Sequence, residues 1–154
     1  MNKEFKGFFS KINQYNPEKD KKNLLDDIIS KIQKSLKITN NIVFLCTHNS
    51  RRSQLCQVWG IILSKIYNID LKFNSAGTEK TEVHKTVFYC FSNLGIENKD
   101  NKIFYGDLSL SLHSKVLEEI QSDKFISIMT CSDAEKSCPS DSRSIKNISM
   151  TYQD

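Results

Sequence analysis

Residues 42–54 read IVFLCTHNSRRSQ, and the reading of this stretch decides the fold. Four apolar residues run into Cys46, and small polar residues, two arginines and a serine follow. A short apolar run with β-branched residues, opened by Asn41, fits a buried strand. Beyond the loop, SQLCQVWGIILSKIY (residues 53–67) places Leu55, Val58, Trp59, Ile62 and Ile66 at the spacing of one helix face. A strand therefore leads into a helix through residues 47–51 alone. A connection that short must curl, so its successive N–H groups converge as an anion nest backed by the positive end of the helix.

Working outward, NLLDDIISKIQKSL (residues 23–36) lays Leu24, Leu25, Ile28, Ile29, Ile32 and Leu36 along one helical stripe, behind a polar leader. Downstream, LKFNSAG reads as a second strand, and EVHKTVFYCFSNLG as a helix stopped at Gly95. KIFY is taken as a third strand, HSKVLEEI as a short helix and KFISIMTC as a fourth strand. Alternating strands and helices predict an α/β chain: a three-layer α/β/α arrangement around a four-stranded parallel sheet. Residues 1–40 form an N-terminal helical extension and residues 41–154 the α/β domain. Such sheets place their sites at the carboxyl ends of strands, where Cys46 and Cys131 both fall and can face one crevice.

The net charge of +4 suggests nucleic acid until it is located. Residues 1–37 hold nine Lys against five acids, and the remainder is balanced, so the excess belongs to a solvated helix face. Neither nucleic acid nor membrane is an expected partner: no stretch has the length of a span or the shape of a leader. The expected compartment is the cytoplasm. Five Cys, an odd number without a secretion signal, argue against a disulfide framework and for thiol or metal chemistry.

In the loop, Arg52 can fork two hydrogen bonds onto a tetrahedral oxyanion, and Ser53 can donate to the Cys46 sulfur. Cation, helix dipole and hydroxyl all favour the thiolate, the form a nucleophile attacking phosphorus or arsenic requires. The competing reading is a strand-end Cys acting as a small buried hydrophobe. A second pair, Cys131 and Cys138, brackets SDAEKS. That is not structural zinc spacing, although a three-thiolate site with Cys46 is the alternative. The other reading is a relay, in which a second thiol attacks the Cys46 adduct and a third resolves the product as a disulfide. Cys56 and Cys90 sit at helical core positions, and the histidines His84 and His113 are given no role.

CTHNSRRSQ resembles the oxyanion loop C-x-x-N-x-x-R-S shared by low-molecular-weight protein tyrosine phosphatases and thioredoxin-coupled arsenate reductases, the phosphotyrosine protein phosphatase I-like fold. Cys46, Asn49, Arg52 and Ser53 match it, with His48 where both groups usually carry Gly. The resemblance implies Cys46 as nucleophile, Arg52 as clamp, Ser53 as thiolate stabiliser and Asn49 as the residue that shapes the loop. Thr47, His48, Ser50 and Arg51 complete the oxyanion cradle. Cys131, Ser132, Asp133, Ala134 and Cys138 match the reductase redox motif C-S-D-A-x-x-x-C, which the phosphatases lack. NSAGTE (residues 74–79) is similar to the family's second-strand turn. There Ser75 corresponds to a residue that in some reductases helps hold potassium beside the loop asparagine. Gln57 replaces that site's glutamate, so no metal is expected. Asp154 falls where the family places its acid–base Asp, without the following Pro. A final helix of the family is missing from this sequence, so the chain reads as truncated or as weak in its acid step.

Three functions follow as expectations. The first is arsenate reduction by Cys46, Cys131 and Cys138, with no bound cofactor and with electrons from thioredoxin. The second is hydrolysis of aryl or protein phosphotyrosine esters through a Cys46 phosphoenzyme, and the third a weakly active anion-binding pseudoenzyme.

Overall fold

The computed structural model describes residues 2–132 and 141–151; Cys138, Asp133, Ala134 and Asp154 lie outside them. In chain order the elements are α1 (Lys3–Gln14), α2 (Lys19–Ser35), β1 (Asn41–Cys46), α3 (Arg52–Tyr67), β2 (Lys72–Gly77), α4 (Lys85–Ser92), β3 (Glu97–Lys99), β4 (Lys102–Tyr105), β5 (Leu108–Ser111), β6 (Phe125–Met129) and β7 (Ser144–Ser149). The main sheet is four-stranded and parallel, in the order β2-β1-β6-β7. Alternation along β1 sends Ile42 and Phe44 to one face and Val43 and Leu45 to the other. The first face packs with Ile126, Ile128 and Ile148 under Ile28 of α2. The second packs with Ala76 and Phe125 against Leu117 and Ile120. Gly60 lets α3 lie close on β2, because a Cβ there would sit 2.7 Å from the Phe73 ring.

The expected α/β class and four-stranded parallel sheet are present, but two strand assignments change. KIFY is a strand (β4), yet it belongs to a separate antiparallel sheet, β3-β4-β5. Its neighbours are joined through residues 100–101 and 106–107, and connections that short permit only hairpins. Positive φ at Asp100, Asn101 and Gly106 supplies the reversals. The fourth parallel strand is instead β7, SIKNIS, in which Ile148 alone is fully buried. An edge strand with one buried side chain carries almost no hydropathy pattern.

The segment read as a polar leader is a helix. Asn2 Oδ1 accepts the Phe5 N–H at 2.8 Å and caps α1. The lysines mask an aromatic face. Phe5 is buried with Val58, Ile62 and Phe91, and its ring lies 6.0 Å from Trp59. In α2 only part of the expected stripe faces inward: Ile28 is buried and Ile32 packs beside it, whereas Leu24, Ile29 and Leu36 are exposed. HSKVLEEI forms not a helix but a single 3-10 turn at Leu117–Glu119. Arg143 holds that turn, donating to Ile120 O at 2.6 Å and Leu117 O at 3.0 Å while paired with Asp141. Among the described residues no helix is long and apolar enough to cross a membrane.

Phe5→Ala empties a site shared by α1, α3 and the antiparallel sheet. It is expected to cost about 3–5 kcal/mol in chemical denaturation. A loss within experimental error would mean that α1 contributes no core.

Candidate active site

The loop of residues 47–51 leaves β1 at Cys46 and enters α3 at Arg52. Its shape follows from where its carbonyls go. Thr47 O accepts from Glu79 N at 2.9 Å and Thr78 Oγ1 at 3.2 Å. His48 O accepts from the Thr81 hydroxyl at 2.9 Å and the Ser114 hydroxyl at 3.0 Å. Asn49 O accepts from Gln54 Nε2, Ser50 O from His84 N, and Arg51 O from Leu55 N. Every carbonyl of the loop is therefore tied outward. Planar trans peptides put each following N–H on the opposite side, so the amides turn inward. Among the described residues the N–H groups of 48–51 make no hydrogen bond of their own. The loop is thus held by a ring of donors outside it, and its N–H groups at 48–51 are left available.

Asn49 locks the curl. Its φ of 47° is left-handed, a region that Asn tolerates better than most residues. Its side chain is fully buried, with Oδ1 accepting from Gln54 Nε2 and from Lys115 N, each at 2.9 Å. That fixes the amide orientation and leaves Nδ2 to donate to Ser53 Oγ at 2.9 Å. With one lone pair engaged by Asn49, Ser53 Oγ keeps its proton free to donate, and Cys46 Sγ lies within hydrogen-bond distance at 3.0 Å. The first turn of α3 carries no acid to cancel the helix dipole at the sulfur. Gly77 makes room for the loop: a Cβ would fall 2.6 Å from Thr47 O and 2.8 Å from Asn49 N.

Cys46, Thr47, His48, Ser50, Arg51, Arg52 and Cys131 line one open cavity of about 430 Å³, with Thr81 and His84 on its wall. Sheet register explains how Cys131 arrives there. β1 and β6 run parallel with Leu45 beside Met129, so continuing the ladder sets Thr47 beside Cys131. Thr130 is pinned by its N–H and hydroxyl to Leu45 O, both at 2.8 Å. Cys131 Sγ lies 3.7 Å from Thr47 Oγ1 and packs with Cys46 in a buried pair. His48, in the place of a glycine, points its ring outward, 3.4 Å from Glu79 and mostly exposed, so its side chain does not crowd the cradle.

Of the residues chosen from the sequence, the structure gathers Cys46, Thr47, His48, Ser50, Arg51, Arg52 and Cys131 on the cavity, with Asn49 and Ser53 buried beneath. Cys138 and Asp154 lie outside the described residues. The NSAGTE turn, read as similar to the family's second-strand turn, does lie beside the loop through Gly77 and Thr78, whereas Gln54, Thr81 and Ser114, which also hold the loop from outside, were missed. Their one available signal was a row of small polar residues beside each strand end.

Potassium does not fit here. Asn49 Oδ1 already serves two donors, and Gln57 is neutral and accepts from Ser75 Oγ at 2.6 Å. The buried acceptor left without a partner among the described residues is Gln54 Oε1, a single uncharged oxygen.

No protein-family model matches the chain. Arsenate reductase 2 of Staphylococcus epidermidis is 31% identical over 113 residues, spanning 73% of this chain and 76% of that protein. The chain belongs to the arsenate reductase family. An arsenate reductase from a second strain of that species matches to the same extent, and arsenate reductase 2 of Staphylococcus haemolyticus is 29% identical over 98 residues, 64% of this chain and 65% of that protein. Among solved structures, a thioredoxin-dependent arsenate reductase of Corynebacterium glutamicum aligns with a TM-score of 0.45 at 20% identity. That alignment covers 86% of this chain, which spans 59% of the other. Within this arsenate reductase family chain Cys56 stands apart from the cavity. Burial, reinforced by the neighbouring Cys46 charge, pushes its thiol up to about 11.

Two outcomes test the site. Gly77→Ala displaces loop backbone rather than a side chain, and is expected to lower turnover on the order of 10²-fold with the fold retained by circular dichroism. Cys56 is expected to resist iodoacetamide near neutral pH, with modification rising only as the pH approaches about 11. Peptide mapping reads this directly, and rapid labelling of Cys56 at neutral pH would contradict the burial.

Proposed function

We propose that this chain reduces arsenate to arsenite by a thiol relay that starts at Cys46. Inward amides of the loop and the forked donors of Arg52 suit a tetrahedral oxyanion, and the Ser53 hydroxyl supports the attacking sulfur as thiolate. Cys46 Sγ attacks arsenic(V). An arsenic–sulfur bond forms, and one arsenate oxygen leaves as water. On the family resemblance we assign its protonation to Asp154.

The Cys131 thiolate then attacks Cys46 Sγ. A sulfur–sulfur bond forms, and the electron pair of the breaking arsenic–sulfur bond stays on arsenic, which departs as arsenite. Two thiols have given up two electrons and arsenic has gained two. Cys138 next attacks Cys131, freeing the Cys46 thiolate, and a dithiol reductant, which we take to be thioredoxin, reopens the resulting Cys131–Cys138 disulfide. A relay that must be returned to thiols belongs in a reducing compartment, which we take to be the cytoplasm.

The observation that carries this reading is the buried contact of Cys46 with Cys131 inside one cavity. Ester hydrolysis needs the cradle and the first sulfur but has no use for the second. Phosphorus is not reduced by thiols, so phosphate should occupy the cradle as a competitive inhibitor.

Arsenate and p-nitrophenyl phosphate turnover, measured side by side with and without thioredoxin, decides the matter. Cys131→Ser and Cys138→Ser are each expected to abolish thioredoxin-dependent arsenate turnover while arsenate still binds. Turnover persisting in either variant would overturn the relay. Arg52→Lys keeps the charge but loses the fork, and is expected to cost roughly 10²–10³-fold in kcat.

A further inference from the structure

A second cavity, of about 280 Å³, lies on the other flank of the framework that holds the loop. Gln57 of α3, Asn74 of β2, Ser111 at the end of β5, and His113, Lys115 and Glu119 beyond it line its wall. Lys115 is only 8% exposed. An ammonium so enclosed is costly unless something compensates it. Among the described residues its Nζ makes no hydrogen bond and no ion pair. The acid on the same wall is committed elsewhere, since Glu119 Oε1 accepts from Lys80 Nζ at 2.6 Å and Oε2 from Val116 N at 2.9 Å.

The remaining groups are rich in donors. Gln57 Oε1 is occupied by Ser75, which leaves the Gln57 amide hydrogens to offer. The Asn74 amide, the Ser111 hydroxyl and the His113 ring add further donors. A wall with one largely buried cation, a carboxylate already held by Lys80, and several neutral groups able to donate is complementary to a small anion.

We propose that this cavity is a second oxyanion site, taking a free tetrahedral oxyanion such as inorganic phosphate or sulfate, with Lys115 supplying the charge. The segment around Lys115 also touches the catalytic loop. Lys115 N donates to Asn49 Oδ1, Gly77 N donates to Lys115 O, and His113 O accepts from Gln54 Nε2, each at 2.9 Å. An anion seated on Lys115 therefore steadies the strip of backbone that holds Asn49 in its left-handed turn, and loop and cavity bind anions cooperatively. Burial holds the Lys115 ammonium below its usual value, with Glu119 opposing this, and an added anion would push it back up.

Calorimetric titration of the full chain with inorganic phosphate tests the site. Wild type is expected to show two saturable sites. Arg52→Ala should remove the loop site and keep the cavity site. Lys115→Met, similar in length and without charge, should weaken the cavity site on the order of 10-fold or more and keep the loop site. A single wild-type site that disappears in Arg52→Ala would overturn the proposal, as would two undiminished sites in Lys115→Met. If the Lys115 variant does not fold, nitrogen-resolved NMR of Arg52→Ala decides. Phosphate should then shift the Gln57 side-chain amide and the Ser111 and His113 signals, and shifts confined to residues 46–53 would refute the site.

Discussion

The outward pairing of the loop carbonyls is the constraint on which the site depends. Five consecutive peptides between Cys46 and Arg52 cannot curl unless their oxygens find partners, because an unpaired buried carbonyl costs about 1–3 kcal/mol. Thr78, Glu79, Thr81, Ser114, Gln54 and His84 supply those partners from three separate stretches of chain. The catalytic loop is thus an imposed shape. Its amides converge because the neighbouring segments hold its carbonyls apart.

Parallel pairing of β1 with β6 performs the second act of placement. Neither Cys46 nor Cys131 has to be found by a flexible segment, since both cap adjacent strands whose register is set by buried side chains on the two faces. An offset of one residue in that pairing would turn Ile126 and Ile128 to the wrong face as well as misplace the sulfur. Core packing and thiol chemistry are held to the same alignment.

Sequence legibility followed how local each signal was. The loop could be read because Cys46, Asn49, Arg52 and Ser53 stand within eight residues of each other, and α3 because Val58 and Ile62 recur at helical spacing. Both cysteine-bearing strands could be read because they are short, mostly apolar and buried on both sides: Ile42–Leu45 in succession in β1, and four apolar residues around Ser127 in β6. β4 was misplaced because KIFY looks the same in either kind of sheet. The deciding residues were Asp100 and Asn101, whose positive φ closes a hairpin. β7 was missed because an edge strand buries little, and α1 because Phe5, Phe8 and Phe9 are diluted among lysines. The more distant loop partners were out of reach: no spacing rule links Ser114 to His48 across 66 residues.

The sulfur pair has one further property. Cys46 and Cys131 touch each other in a cluster of their own, apart from the three apolar clusters that hold the sheet and helices together. Each sulfur also has contacts outside that pair, Cys46 Sγ with Ser53 Oγ at 3.0 Å and Cys131 Sγ with Thr47 Oγ1 at 3.7 Å. The relay proposed above would make and break a bond between these two sulfurs once per cycle, at a contact separate from the apolar clusters that hold the strands.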